Sequence, residues 1–459
     1  MSELTGTFVT YIKLVNTLKL MKLVIIGLGT AGYAAAMEAA KRGADITIIE
    51  KRDFETFSPC GLPYVIDGSI PRFEDLKHTV RLRNTEKLLS HEVESINVHQ
   101  KTVAVKDLGS GDKKDIAYDK LIIATGASPL VPPITGVREL LGEGTFVISG
   151  IGDTSQMKEK AESSESCVVV GAGAVGSETA CTLHNKGLNV TMVEMLPHMF
   201  PQALDADIAS EVKTHMESVG IPVYVGSKVE SVKEENGKII VSAGREYTCD
   251  FALITCGVRA NYALAEKAGI EIGKWGIRVT PRMETSAEDV YACGDCIETF
   301  SYLNGEPWMM QMATSALRMG PIAAFNALGG DAAYDGCLNT FASELAEKEV
   351  ASCGVTEKQA EGFGYETAVG KGSGTVAADY YPGGDTVRVK LIVNKKDHTL
   401  LGGQAFGKGA FWRVNVISLA LKARMTVEEF SKMELAYTPP LAPSYDALQK
   451  ACDFVLRRL

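Results

Sequence analysis

Apolar and polar positions fall in blocks along the chain, and two blocks are alike. Residues 22–50 open on an apolar run, KLVIIG, and turn through glycines into a stretch with helical spacing. They close on a second apolar run, ADITIIE. Residues 167–194 repeat that order as CVVVGAGAVGSETACTLHNKGLNVTMVE. A short unbroken apolar run beside glycine reads as a strand covered on both faces, and strand–helix–strand reads as a βαβ unit. The first glycine and the closing glutamate are 23 residues apart in both copies, Gly27 to Glu50 and Gly171 to Glu194. Two equal units predict two dinucleotide-binding folds in one chain.

The rest of the pattern extends this plan. DKLIIATGASPLVPPITG (119–136) predicts a strand, a glycine turn and a proline-rich crossover, and DFALITCGVRAN (250–261) closes the second unit in the same way. Turn-rich alternation from Tyr365 to Phe406 predicts an antiparallel sheet, with helices near 409–424 and 444–458. The expected fold is α/β, with two Rossmann-like domains and a C-terminal α+β domain. The expected boundaries are 1–20 (an N-terminal extension), 21–135, 136–257, 258–333 and 334–459, the second and fourth segments sharing the first dinucleotide domain.

Composition narrows the function classes. A formal charge of -10 argues against nucleic acid as the main partner, because duplex binding needs a basic face. No apolar stretch is long enough to span a bilayer, and Phe8 to Leu20 is broken by Lys13, Asn16 and Lys19. Ten scattered cysteines do not make a disulfide scaffold and fit a reducing, cytoplasmic setting in which a thiol can be reactive.

In GLGTAG the first glycine, Gly27, makes the tight turn, Gly29 admits a pyrophosphate and Gly32 lets helix and strand pack closely. Thr30 and Ala31 open the helix whose N–H groups face the phosphates, and Glu50, with Lys51 beside it, is placed for the ribose hydroxyls. Gly171, Gly173, Ala174, Val175, Gly176 and Glu194 repeat the arrangement. MLPH after Glu194 supplies no Arg or Lys for a 2′-phosphate, which favours NADH, with NADPH as the alternative through His198 or a distant base.

TSAEDVYACGDC (285–296), with Gly294 and Asp295, resembles the second FAD fingerprint of the pyridine nucleotide-disulfide oxidoreductases, and Ala124-Thr125-Gly126 resembles their crossover motif. The resemblance implies FAD on the first loop and NADH on the second, with Gly257 in the closing turn. It also implies a helix starting near Met312 and Ala313 that faces the flavin pyrimidine edge. Cys293 and Cys296 have CxxC spacing, but without a second pair or a histidine cluster no zinc or other metal site is expected.

Ten residues after Glu50 comes FSPCGLPY, where Cys60 lies at the expected start of a helix or turn, a position that lowers a thiol pKa. A packed cysteine is the alternative, and the resemblance places this segment beside the flavin. Four residues further on stands Gly, Leu, Pro, Tyr64 and then Val65, not a second cysteine. A lone thiol must hold its oxidised state as a mixed disulfide, a persulfide or a sulfenic acid. The chain therefore resembles the single-cysteine branch: CoA-disulfide reductases, persulfide reductases, NADH peroxidases and NADH oxidases. The histidine of the peroxidases is matched by Thr30, which weakens that reading.

CGLPY, Tyr380-Tyr381-Pro-Gly and Ala436-Tyr437-Thr-Pro-Pro resemble segments of the CoA-disulfide and persulfide reductases. By that resemblance Tyr437, with Tyr381 rather than Tyr380, faces the cysteine of a partner subunit, so the site needs a homodimer; core or interface packing is the alternative. Lys41, Arg42, Arg72 and Lys77 are candidates for CoA, or simply solvated surface charge. Ala260 replaces a proline usual in relatives, which predicts a looser turn. The implied activity is NADH- and FAD-dependent reduction of a low-molecular-weight disulfide or persulfide, CoA disulfide foremost. The competing readings are an NADH oxidase making peroxide or water, and an electron-transfer module feeding a small iron–sulfur protein.

Overall fold

The computed structural model describes residues 21–459, so the expected extension at residues 1–20 lies outside the described residues. The first apolar runs form a parallel sheet in the order Val290–Ala292, Lys120–Ile123, Lys22–Ile26, Asp45–Ile49 and Thr85–Leu88. Leu23, Ile25, Ile46, Ile48, Leu121 and Ile122 have no exposed surface, which explains why these strands are apolar without alternation. Helix Thr30–Lys41 packs against helix Ala313–Ala327 so closely that a Cβ on Gly320 would strike the carbonyl oxygen of Ala31.

The second copy builds a second parallel sheet, ordered Thr145–Phe146, Phe251–Ile254, Ser166–Val170, Asn189–Val193 and Val223–Tyr224. The two copies match in detail. Gly27 N–H donates to the Ile49 carbonyl and Gly171 N–H to the Val193 carbonyl, both at 2.8 Å. An antiparallel pair, Ala127–Pro129 with Val258–Ala260, carries the chain between the sheets. Ala260 is thus a buried residue in a paired strand, not in a turn; the expectation of a looser turn is corrected by its ladder partner Ala127.

The C-terminal sheet is antiparallel, in the order Phe341–Leu345, Lys348–Gly354, Leu400–Gly407, Thr386–Asn394 and Thr367–Thr375. Helices Ala410–Lys422 and Ala447–Leu456 fall where periodicity predicts them. Arg413, with no exposed surface, forms a two-pronged ion pair with Asp446, and Asp446 also caps the last helix through Leu448 N–H at 2.8 Å. A buried pair of this kind fixes geometry more than it adds net stability, and losing one partner is costly. Among the described residues no helix is long and apolar enough to cross a membrane.

Candidate active site

The two glycine loops are shaped alike and have room where a ligand would sit. Gly27 has φ of +95°, and a Cβ there would collide with the Ala124 carbonyl oxygen; one on Gly32 would collide with the carbonyl oxygen of Gly27. Gly29 has nothing within 4 Å of its Cβ position. Gly171, Gly176 and Gly173 divide the roles in the same way, with Gly171 at +107° against Thr255 and Gly173 open. Neither helix N-terminus has a side-chain cap, so the first-turn N–H groups of Thr30 and Ala174 face the open space. This is a cradle for a pyrophosphate in each copy.

The acidic residues are set by backbone. Glu50 accepts from Leu28 N–H at 2.8 Å and Arg52 N–H at 3.0 Å; Glu194 accepts from Ala172 N–H at 2.8 Å and Leu196 N–H at 2.7 Å. The first copy adds the Arg52 side chain, donating through Nε at 2.9 Å and Nη2 at 2.7 Å. Burial opposes the charge on Glu50, but the hydrogen bonds and charge of Arg52 outweigh it and hold the carboxyl below its usual range. Leu196 stands where Arg52 stands in the first copy, so the second carboxylate has no cation beside it in this loop. His198 Nδ1 lies 3.0 Å from the Met199 carbonyl. Lys51 and Val175 are exposed and Ala174 is half-buried.

Asp295 closes on the first loop: a Cβ on Gly294, at φ of +82°, would press on the Ala31 side chain. Burial, with nothing to offset it, pushes the Asp295 carboxyl up to about 6. Such a group is suited to a ligand hydroxyl. Thr125 and Gly126 are locked to the second crossover strand by Thr125 Oγ1 to the Asn261 carbonyl (2.7 Å) and Asn261 N–H to the Gly126 carbonyl (2.9 Å). Gly257, at φ of +98°, accepts from Leu130 N–H at 2.9 Å. Met312 is the uncapped N-cap of helix Ala313–Ala327.

Cys60 sits in a single 3-10 turn, Pro59–Gly61, closed by Gly61 N–H on the Ser58 carbonyl at 3.1 Å, and its thiol reaches solvent. The expected lowering of its pKa is overturned. Burial by surrounding protein pushes the thiol up, and the charges of Glu178 and Asp295 push the same way. The turn runs on into helix Leu62–Ile66, and its backbone does favour the thiolate, but burial outweighs that contribution. Glu178 is on the helix of the second glycine loop, Asp295 follows the Gly294 turn that meets the first, and the thiol is near enough to feel both charges. The other nine cysteines are buried or half-buried, Cys293 and Cys296 completely.

Sequence reasoning missed Glu178, whose carboxyl is raised by burial and accepts from Ser343 Oγ at 2.7 Å. It also missed Tyr64, whose phenol is pushed up to about 12 by burial and then by Glu178. A carboxylate two residues past GAGAVG, on an otherwise small-residue helix face, was the readable signal. In the C-terminal domain Tyr437 meets Tyr380, with phenol oxygens 2.6 Å apart. Tyr381 is outside that pair; its N–H bonds the Ala378 carbonyl at 2.8 Å, and Ala378 N–H bonds the Pro439 carbonyl at 2.8 Å, tying the two tyrosine segments together. Of the basic candidates, Lys41 and Arg42 engage Glu38, Arg42 also stacks 4.0 Å over Phe325, Arg72 pairs with Asp75 and Lys77 lies over Phe54. None stands as a ready anion clamp.

Residues 21–320 match the pyridine nucleotide-disulphide oxidoreductase family, and residues 345–448 match the dimerisation domain of the same family. The chain belongs to that family and is an oxidoreductase using FAD and NAD(P)H. It is 34% identical over 451 residues to an NADH oxidase of Methanocaldococcus jannaschii, covering 96% of this chain and 99% of that one. It is 31% identical over 440 residues to the NAD(P)H coenzyme A polysulfide/persulfide reductase of Pyrococcus horikoshii, covering 93% and 96%. A solved NAD-dependent persulfide reductase from A. fulgidus superposes with a TM-score of 0.90 at 31% identity, covering 95% of this chain and 83% of that one.

Proposed function

We propose that this protein uses NADH to reduce a disulfide or persulfide of a low-molecular-weight thiol, CoA foremost, through Cys60 as the lone redox thiol. The observation that carries this reading is Cys60 itself: an exposed residue that feels the charges of Glu178 and Asp295, with no second cysteine in its turn. In the first cradle Gly29 gives the backbone approach, Glu50 the ribose contact and Asp295 a hydroxyl contact for FAD. Bound FAD supplies the two-electron link between nicotinamide and sulfur. In the second cradle Glu194 accepts from the ribose of NADH, and its bare carboxylate disfavours a 2′-phosphate.

The chemistry of this chain begins when the Cys60 thiolate attacks one sulfur of the substrate, breaking the S–S bond and releasing one thiolate. The other half stays on Cys60 as a mixed disulfide or persulfide, and two electrons and a proton then free it. The leaving sulfur needs a proton. Tyr437, hydrogen-bonded to Tyr380, is the group assigned to donate it, reaching Cys60 from a partner subunit. Phe411, Leu419, Leu441 and Phe454, large apolar side chains left exposed in the C-terminal domain, support that dimer. A reducing compartment such as the cytoplasm keeps the thiol in play.

The NADH oxidase among the relatives favours a second reading, direct reduction of oxygen. Anaerobic turnover of CoA disulfide and of polysulfide, set against aerobic oxygen consumption at equal NADH, tests the choice. Sulfur turnover well above oxygen use is expected; the reverse order makes oxygen the acceptor.

A further inference from the structure

The second cradle is held from outside its own domain. Loop 195–205 follows Glu194 and forms one wall of that cradle, with Phe200 N–H bonding the carbonyl of Ala172, inside the glycine loop, at 2.9 Å. Phe200 adopts φ of +48°, a left-handed conformation that is unfavourable for a bulky residue and persists only where its surroundings enforce it. Ala203 and Leu204 N–H groups, both 2.9 Å from the Phe200 carbonyl, hold it from within the loop, and the C-terminal domain holds the loop from outside. Phe341 packs on the Phe200 ring at 5.6 Å between centroids. At the end of the loop Asp205 is gripped on every side. Its N–H donates to Gln404 Oε1 (2.9 Å), its carboxylate accepts from Gln404 Nε2 (2.7 Å) and Glu357 N–H (3.0 Å), and Lys390 Nζ lies 2.8 Å away.

Lys390 is 1% exposed and also meets Asp207 at 3.0 Å and Glu357; Lys371 meets Asp207 as well. Gln404 is equally buried. This is a satisfied ionic cluster, in which removing one partner leaves unpaired charge inside the protein.

We infer that Lys390 and Gln404 are positioning residues for the nicotinamide dinucleotide: by fixing Asp205 they hold Phe200, and through it the second glycine loop, in the shape that receives NADH. The inference rests on the assignment of NADH to the second loop. It places a determinant of cofactor affinity in the domain responsible for dimerisation.

Steady-state and binding measurements on the FAD-loaded dimer test it. Lys390→Met and Gln404→Met should each raise the NADH KM and the Kd for NAD+, which leaves the oxidised flavin unreduced, by about 5–20-fold. The kcat at saturating NADH should stay within about twofold, and Lys390→Arg should restore most of the affinity. Gln404→Met keeps every charge of the cluster paired, so it reports even if Lys390→Met fails to fold. Glu194→Ala serves as the control for the assignment itself. If it leaves NADH affinity unchanged, the second loop is not the NADH site. If it weakens NADH while folded Gln404→Met and Lys390→Met bind normally, the positioning role is wrong. A fall in kcat with unchanged Kd in those variants also overturns it.

Discussion

The phenol oxygens of Tyr380 and Tyr437 lie 2.6 Å apart although the residues are 57 positions distant in the chain. One phenol must donate to the other, which leaves a single O–H of the pair for an outside acceptor; for Tyr437 to supply it, Tyr380 is the donor within the pair. A phenol so held stays protonated at neutral pH, which is the state a proton donor needs.

Replacing Tyr437 by Phe should lower kcat/KM for CoA disulfide by about 10–100-fold, the usual range for loss of a positioned acid. Tyr380→Phe should cost less, about 3–10-fold, because Tyr437 keeps its own O–H. Flavin reduction by NADH should be unchanged in both. Stopped-flow and steady-state assays together check this, and normal disulfide turnover in Tyr437→Phe removes the phenol from the reaction.

Because the Cys60 thiol is pushed up, only a small fraction is thiolate at neutral pH in the free protein. Its alkylation by iodoacetamide should therefore quicken with rising pH through neutrality and beyond the usual thiol range. Glu178→Gln, which removes a negative charge acting on the thiol, should move the profile to lower pH. A flat profile below pH 7 would mean that the thiolate is already formed.

Asp295 gives a signature in the FAD-free protein. Its carboxyl titrates near 6 in the fold, above the ordinary aspartate value near 4, so the folded state binds the extra proton between those values. Stability is thus greatest below that window and declines as pH rises through it, by up to about 3 kcal/mol for a shift of about two units. Urea unfolding of apoprotein at several pH values should show that decline, and Asp295→Asn should abolish it.

The glycines separate fold from ligand. Gly32→Ala forces a collision with the Gly27 carbonyl and should destabilise even the apoprotein, by about 1–3 kcal/mol, as overpacking does. Gly29→Ala meets nothing in the protein, so its melting temperature without FAD should match the parent while FAD affinity falls. Equal loss of apoprotein stability in the two variants would mean that Gly29 has a structural role instead.

These contrasts also show what the chain made legible. The paired strand–glycine–helix units were readable because their signals are local: an apolar run, three glycines and an acid at a fixed interval. Steric demands at Gly27, Gly32, Gly171 and Gly176 impose that spacing regardless of the remaining sequence. Arg52, Glu178 and Ser343 were not readable, since their roles arise from contacts the sequence does not order. Ser343 reaches Glu178 across 165 residues. The direction of the thiol pKa is not legible locally, because burial first, and then two carboxylates distant in the chain, act on it only in the folded protein. Of the two adjacent tyrosines the sequence points to Tyr381, whereas the fold brings Tyr380 to Tyr437, a contact across 57 residues that no local signal orders.

Intact mass of protein purified without reductant should show an added CoA or sulfur mass, mapping to Cys60 and removed by NADH when FAD is bound. An unmodified thiol that also fails to acquire CoA on incubation with CoA disulfide would count against covalent capture.

The most direct trial of the whole account is anaerobic stopped-flow on Cys60→Ser. The variant should bind FAD, and NADH should bleach the flavin at the parent rate. Adding CoA disulfide should then fail to restore the flavin colour within many parent turnover times. Flavin reoxidised by CoA disulfide at the parent rate in that variant would contradict the claim that electrons leave this protein through one cysteine.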